Sequence, residues 1–105
     1  MSDRYKLDGH ETVVVHDLIE WATWMESAER AVCKDQIGDS KVSTVFLGLD
    51  HAAPSAVTPP LLFETMVFGG PMDDECRHYA TWGQAEAGHA EMMAEVQAAI
   101  GKAAG

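Results

Sequence analysis

The residues best suited to chemistry in this sequence lie in or beside two apolar runs. Asp50 and His51 follow the first run, while Glu64 and Thr65 lie inside the second. Polar groups among apolar neighbours need hydrogen-bond partners, and such places are where binding sites are found. We therefore predict one pocket for a small polar ligand. Its predicted ligand-binding residues are Asp50, His51, Glu64, Thr65, Trp82 and His89.

Carboxylates and imidazoles of this kind can bind a divalent metal ion. The sequence has no His-x-His, His-Glu-x-x-His or Cys-x-x-Cys spacing, so a hydrogen-bonded polar network is the preferred interpretation. No metal ion, cofactor or catalytic residue is predicted. Taken singly, His89 fits a neutral core histidine, and Asp50 fits a cap of the loop that follows it. Glu64 needs a partner, because an isolated buried carboxylate raises its own pKa; the candidates are Arg77, Lys41 and His89.

The two runs, residues 42–51 and 61–68, are apolar at consecutive positions. A strand with one face in water alternates apolar and polar residues, so these strands are expected to be covered on both faces. We predict an antiparallel pair with helices on one side and another subunit on the other. Residues 52–60 contain three prolines and form the connecting loop.

The sequence of the N-terminal third predicts a hairpin followed by a helix. Residues 4–15 form the hairpin around Asp8-Gly9. Asp17 and Glu20 have the spacing of a capping box, and the helix of about four turns that follows is expected to end a few residues before Gly38. Its apolar stripe comprises Leu18, Trp21, Met25, Ala28 and Val32. Ile19 and Trp24 lie off this stripe and predict a second apolar contact.

The sequence of the C-terminal third predicts a short edge strand at residues 76–79, followed by a long helix. Thr81 and Gln84 cap the helix, which is expected to end at Gly101. Its stripe comprises Trp82, Ala85, His89, Met92, Met93, Val96 and Ile100. The predicted fold is α+β: one domain over residues 1–105, in the order ββ-α-ββ(β)-α. A small antiparallel sheet of four or five strands carries two helices, and residues 1–3 and 102–105 are expected to fray.

Composition narrows the possible partners. The 105 residues include 17 acids and 7 bases, for a formal charge of −10. Phosphate binding needs clustered Lys and Arg, so neither nucleic acid nor an anionic membrane is an expected partner. Cys33 and Cys76 are the only cysteines and form no disulfide framework. With neither a signal peptide nor a long apolar run apparent, we expect a cytoplasmic protein.

Several segments carry a resemblance. They are Ile37-Gly-Asp39, Ser-Thr-Val-Phe-Leu-Gly-Leu-Asp-His at 43–51, Pro-Pro-Leu-Leu-Phe-Glu-Thr-Met-Val-Phe-Gly-Gly at 59–70, Tyr-Ala-Thr-Trp at 79–82 and Ala-Gly-His at 87–89. Over residues 18–97 the chain resembles small uncharacterised proteins common in phages and prophages. Those proteins carry Asn-Phe and a glycine-rich stretch after Asp-His, where this chain has Ala52-Ala53-Pro54. The resemblance implies a phage or prophage setting and no established activity.

Three functions follow from these patterns. The preferred one is a non-catalytic homo-oligomer, a dimer or larger, that binds a small polar ligand between subunits. By analogy with the phage setting, it would sequester a nucleotide-like host signal and so counter host defence. The first alternative is an acidic decoy that mimics nucleic acid and blocks a host protein. The second is a small hydrolase with a carboxylate–histidine or metal site.

Overall fold

The computed structural model describes residues 3–51 and 59–104, which contain six strands and two helices. The elements are β1 (Arg4–Asp8), β2 (Glu11–Val15), α1 (Leu18–Ser27), β3 (Ala31–Ile37), β4 (Ser40–Phe46), β5 (Phe63–Phe68), β6 (Cys76–Tyr79) and α2 (Trp82–Ala104). The α+β class is confirmed. The predicted connecting loop at 52–60 lies mostly outside the described residues.

The strands form two separate antiparallel sheets instead of the single predicted one. β1 and β2 form the predicted N-terminal hairpin, in which Asp8 pairs with Glu11. The other four strands form a sheet in the order β3-β4-β5-β6.

The first helix is shorter than predicted, and a strand that sequence reasoning missed follows it. Asp17 caps α1 as expected, since its carboxylate accepts from the backbone N–H groups of Ile19 and Glu20 at 2.9 and 3.2 Å. The helix ends at Ser27, however, and residues 31–37 form β3, which pairs with β4. Gly38 does not stop a helix. With φ of +55° it occupies the two-residue turn that joins β3 to β4, a conformation that glycine adopts without strain.

Helix α2 covers one face of the four-stranded sheet. Along β4, buried residues on the α2 side alternate with less buried ones on the other side. The prediction that both faces are covered therefore does not hold within a single chain. We call the face away from α2 the open face; Phe68 is 47% exposed on it.

The core lies between the sheet and α2 in two clusters. One contains Val42, Val67, Met92 and Val96, and the other contains Phe46, Leu62, Phe63 and Ala85. The predicted cap is present, because the Thr81 hydroxyl accepts from the Gln84 N–H at 3.1 Å. The helix continues to Ala104 instead of fraying after Gly101. At Gly88 a Cβ would overlap the ring of Tyr79, so a glycine is needed there for close packing.

Helix α1 packs chiefly on the β1–β2 hairpin and not, as predicted, on the main sheet. None of its residues is buried. Trp24 reaches the main core, where its ring meets Phe46 edge-on at 5.8 Å, but Ile19 remains 77% exposed. Among the described residues, no helix combines the length and apolar character needed to cross a bilayer.

Candidate functional site

The predicted ligand-binding residues are not gathered into one pocket. Thr65 and His89 are buried between the sheet and α2, whereas Glu64 lies on the open face, opposite His78. Because successive residues of a strand point to opposite faces, Glu64 and Thr65 cannot line the same pocket. Among the described residues, Glu64, Thr65 with His89, and Trp82 therefore lie at three separate places: the open face, the core and the start of α2.

A line of hydrogen bonds crosses the core side of the sheet. Thr65 Oγ1 lies 2.5 Å from Thr44 Oγ1 on the neighbouring strand, and Thr44 Oγ1 lies 2.7 Å from His89 Nδ1. His89 Nε2 donates to Asp35 Oδ2 at 2.8 Å, since a carboxylate can only accept. In the neutral imidazole, Nδ1 then accepts from the Thr44 hydroxyl. His89 is thus the satisfied core histidine that the sequence suggested, with a partner on each ring nitrogen.

Thr44, His89 and Asp35 have the hydroxyl–imidazole–carboxylate order of a nucleophilic triad. The hydroxyl, however, belongs to a residue with 0% exposure and is also bonded to Thr65. A substrate cannot reach it. The hydrogen bond from His89 lowers the pKa of Asp35, which keeps the carboxylate charged as an acceptor. This line of residues holds the two central strands, β3 and α2 in register.

Asp50 and His51 hold the ends of the β4–β5 connection together. Asp50 Oδ1 accepts from the Leu61 N–H at 2.8 Å, and the His51 N–H donates to the Leu61 carbonyl at 2.9 Å. The start of the second apolar run therefore returns to Asp50, as predicted, and the interpretation of Asp50 as a loop cap is confirmed. The His51 ring extends beyond this contact toward the open face, where it stacks on His78 with ring centroids 5.4 Å apart.

The open face carries a group of three chemically versatile side chains, which we call the open-face cluster: Glu64, Cys76 and His78. Glu64 Oε2 lies 3.0 Å from His78 Nε2. One donor atom from each of the three residues lies within 4.8 Å of the others. Burial and then the nearby Glu64 charge raise the pKa of the Cys76 thiol.

The partner of Glu64 differs from all three candidates that the sequence suggested. Arg77 lies on the α2 side and makes a two-pronged ion pair with Glu95, at 2.6 and 2.9 Å. His89 is on the α2 side as well. The partner of Glu64 is His78. The sequence held one signal for this site: residues two apart in a strand share a face, so Cys76 and His78 of the predicted edge strand lie on the same side of the sheet.

Trp82 lies at a third place, beside a cleft of about 430 Å³ between the β1–β2 turn and the start of α2. We call it the Trp82 cleft. His10 stacks on Trp82 with ring centroids 3.8 Å apart and planes 6° apart. Trp82 Nε1 is buried without a hydrogen-bond partner among the described residues. The residues that line the cleft are His10, Glu11, Thr12, Thr81, Trp82, Gly83 and Glu86.

Comparison of the chain with protein-family models, curated proteins and solved structures finds no match.

Proposed function

We propose that this protein binds a small planar ligand in the Trp82 cleft without transforming it. The observation that carries the proposal is the His10–Trp82 stack at the wall of the cleft. A flat aromatic wall is a general binding surface for planar ligands. The volume of the cleft is also within the usual range for small-molecule sites, about 300–1,000 Å³.

The polar groups of the cleft indicate which part of a ligand would be bound. Glu11 and Glu86 both line it, so a phosphate would be repelled. Their carboxylates can accept hydrogen bonds from amino groups. A nucleobase with its amino edge toward the carboxylates and its phosphates outside the cleft fits this chemistry. Together with the resemblance to phage and prophage proteins, this supports sequestration of a nucleotide-like host signal in the host cytoplasm.

A non-catalytic role is supported by the state of the triad-like line in the core. Its hydroxyl is enclosed and its imidazole has both nitrogens engaged. Because these groups are enclosed and engaged in structural hydrogen bonds, they are not available to attack a substrate. This favours a binding protein over a hydrolase.

Self-association is a second part of the proposal and depends on α1. Leu18 and Ile19, at its first turn, are 52% and 77% exposed, and a ten-residue helix gains little stability from its backbone alone. A covering surface would bury these side chains. We propose that a second copy of the chain supplies it, since most soluble oligomers are homo-oligomers and the commonest are two-fold dimers.

Native mass spectrometry of the protein purified from bacterial host cells tests both parts. We expect a dimer or larger assembly that retains a small molecule. His10→Ala should lose the molecule and keep the assembly, because His10 is exposed in a turn. Ile19→Lys should lose the assembly.

Nucleoside titration sharpens the test of the cleft. We expect adenosine to raise the melting temperature of the wild type, and Glu86→Gln to reduce that rise. Glu91→Gln is the matched control, because Glu91 is exposed on α2 and does not line the cleft. Equal responses of the two variants, or retention of the molecule by His10→Ala, would contradict the cleft as the binding site.

A further inference from the structure

We infer that the open-face cluster of Glu64, Cys76 and His78 binds a divalent transition-metal ion of the zinc type. The inference is independent of the Trp82 cleft, because none of the three residues lines that cleft. It rests on the chemistry of the three donors, on their geometry and on their position at the surface.

The donor set suits zinc and its neighbours in the transition series. A thiolate, an imidazole nitrogen and a carboxylate oxygen are the three ligand types that Zn²⁺ takes in proteins. Calcium and magnesium prefer all-oxygen sites, so the sulfur and the imidazole disfavour them. Three protein ligands with a fourth position to fill is a common arrangement for zinc.

The geometry requires little rearrangement. Ligand atoms about 2.1 Å from a tetrahedral ion lie about 3.4 Å from one another. In the structure the three donor atoms are all within 4.8 Å of one another, and Glu64 Oε2 is 3.0 Å from His78 Nε2. Small side-chain rotations would place an ion between them. As the ion binds at Nε2, the His78 proton that now faces Glu64 would move by way of solvent to Nδ1, and the Cys76 thiol would release its proton to solvent.

The backbone holds the donors in place. Glu64 of β5 and His78 of β6 are directly paired, and Cys76 lies two residues before His78 on the same face. A sheet positions ligands more rigidly than a loop does. All three side chains are only partly buried, so an ion can enter from solvent.

His51 lies next to the cluster and would offer a fourth ligand after its ring rotates. Its ring stacks on that of His78, and its Nδ1 lies 3.0 Å from the Leu49 carbonyl oxygen. A carbonyl can only accept, so Nδ1 carries the proton and Nε2 has the lone pair. A histidine that ligates a metal commonly donates its other ring N–H to a backbone carbonyl in this way.

A second group of similar composition provides an internal control. Cys33, Asp35 and His89 also place their donor atoms within 4.8 Å of one another. His89 is only 4% exposed, and its Nε2 and Nδ1 are both engaged in the line of hydrogen bonds through the core. Binding an ion there would disrupt both hydrogen bonds of an almost fully enclosed imidazole, whereas His78 is partly exposed. We therefore assign the ion to the open-face cluster.

Cobalt titration of the metal-stripped full chain tests the assignment. Co²⁺ bound to a thiolate gives a sulfur-to-metal charge-transfer absorption band, which reports cysteine ligation directly. We expect the band to saturate at one Co²⁺ per chain and to be displaced by Zn²⁺. Cys76→Ser and His78→Ala should abolish or strongly weaken it, whereas the matched variant Cys33→Ser should leave it unchanged.

Three results would overturn the inference: no band in the wild type, a band that persists in Cys76→Ser, or a band lost in Cys33→Ser. Circular dichroism of each variant shows whether a lost band reflects a lost fold. Should His78→Ala fail to fold, Glu64→Gln serves in its place, because it keeps the size of the side chain and removes the charged ligand. Adenosine binding should be the same in Cys76→Ser and the wild type, which separates this test from that of the proposed function.

Discussion

The N-terminal region, residues 3–39, and the C-terminal region, residues 40–51 and 59–104, differ sharply in how they are stabilised. In the N-terminal region Val15 alone is buried among the described residues. The C-terminal region contains both core clusters and three of the four residues in the line of polar groups, Thr44, Thr65 and His89. Most of the apolar stabilisation of the chain must therefore come from the C-terminal region.

The hairpin and α1 are joined by hydrogen bonds to the end of β4. The Tyr5 N–H donates to the Gly48 carbonyl at 2.8 Å, and the Trp21 indole donates to the Tyr5 carbonyl at 2.9 Å. The radius of gyration of 15.2 Å exceeds the roughly 13 Å typical of a compact chain of this length. The attachment makes the molecule elongated, and local opening is expected to start in this region.

Truncation of a core side chain should show the largest contrast between the regions. Phe63 is fully buried and Leu18 is 52% exposed. We expect Phe63→Ala to lower the free energy of unfolding by about 3–5 kcal/mol, and Leu18→Ala by less than about 0.5 kcal/mol in the monomer. Urea unfolding followed by circular dichroism measures both. Similar losses in the two variants would show that the regions share one core.

Breaking the line of polar groups in the core should cause the next largest loss of unfolding free energy. Thr44→Val keeps the shape of the side chain but leaves His89 Nδ1 without a partner and removes one of the two partners of the Thr65 hydroxyl, which also bonds to Tyr79. A buried polar group left unpaired costs about 1–3 kcal/mol. Ser43→Ala is the control, one residue away on the open face. If the two substitutions cost the same in urea unfolding, the line contributes nothing specific to stability.

Gly48→Ala should loosen the attachment without disturbing the main core. Gly48 has φ of +79°, and a Cβ there would lie 2.9 Å from the Met25 sulfur and 3.2 Å from the Trp21 indole nitrogen. The left-handed conformation alone costs an alanine about 1–2 kcal/mol. Hydrogen exchange should therefore become faster in α1 and β1 and stay unchanged in α2. Faster exchange throughout the chain would mean that the two regions unfold together.

The same contrast explains which parts of the fold were predictable. Helix α2 has one buried stripe and a local cap, so its start and its buried face could be read from spacing. Strand β3 could not, because Ala28 and Val32 continue the apparent helical stripe of α1, and only pairing with β4 makes residues 31–37 extended. Gly38-Asp39 carried a hairpin signal, but it becomes informative only when a strand is expected on both sides.

The site was less predictable than the fold because it depends on which face each side chain takes. Alternation along the second run was enough to separate Glu64 from Thr65. Asp35 could not be found, since it lies in the strand that was interpreted as part of a helix or its end. His10 stacks on Trp82 across 72 positions of sequence, and no local pattern encodes such a contact.

Acid should produce the smallest of the expected effects, and it should act on two pairs that α2 makes with the four-stranded sheet. The pKa of Glu95 is lowered by its hydrogen bonds from Arg77, and the pKa of Asp35 is lowered by that from His89. A carboxyl whose pKa is lower in the folded state stabilises the fold above its unfolded pKa, which is about 4. That stabilisation is lost as the pH falls through the folded pKa. We therefore expect the free energy of unfolding to be level above about pH 5 and to decline below about pH 4. The decline should be shallow, because both carboxylates are partly in water.

Arg77→Gln isolates one of these two pairs, because it removes the cation that holds Glu95 charged. We expect its unfolding free energy to decline less between pH 5 and pH 3 than that of the wild type. Lys6→Gln, which breaks the 3.5 Å ion pair with Glu20 in the N-terminal region, is the control and should follow the wild type. If Lys6→Gln flattened the curve as much as Arg77→Gln, the acid response would belong to the charge of the whole chain, at −10, and not to the ion pair between β6 and α2.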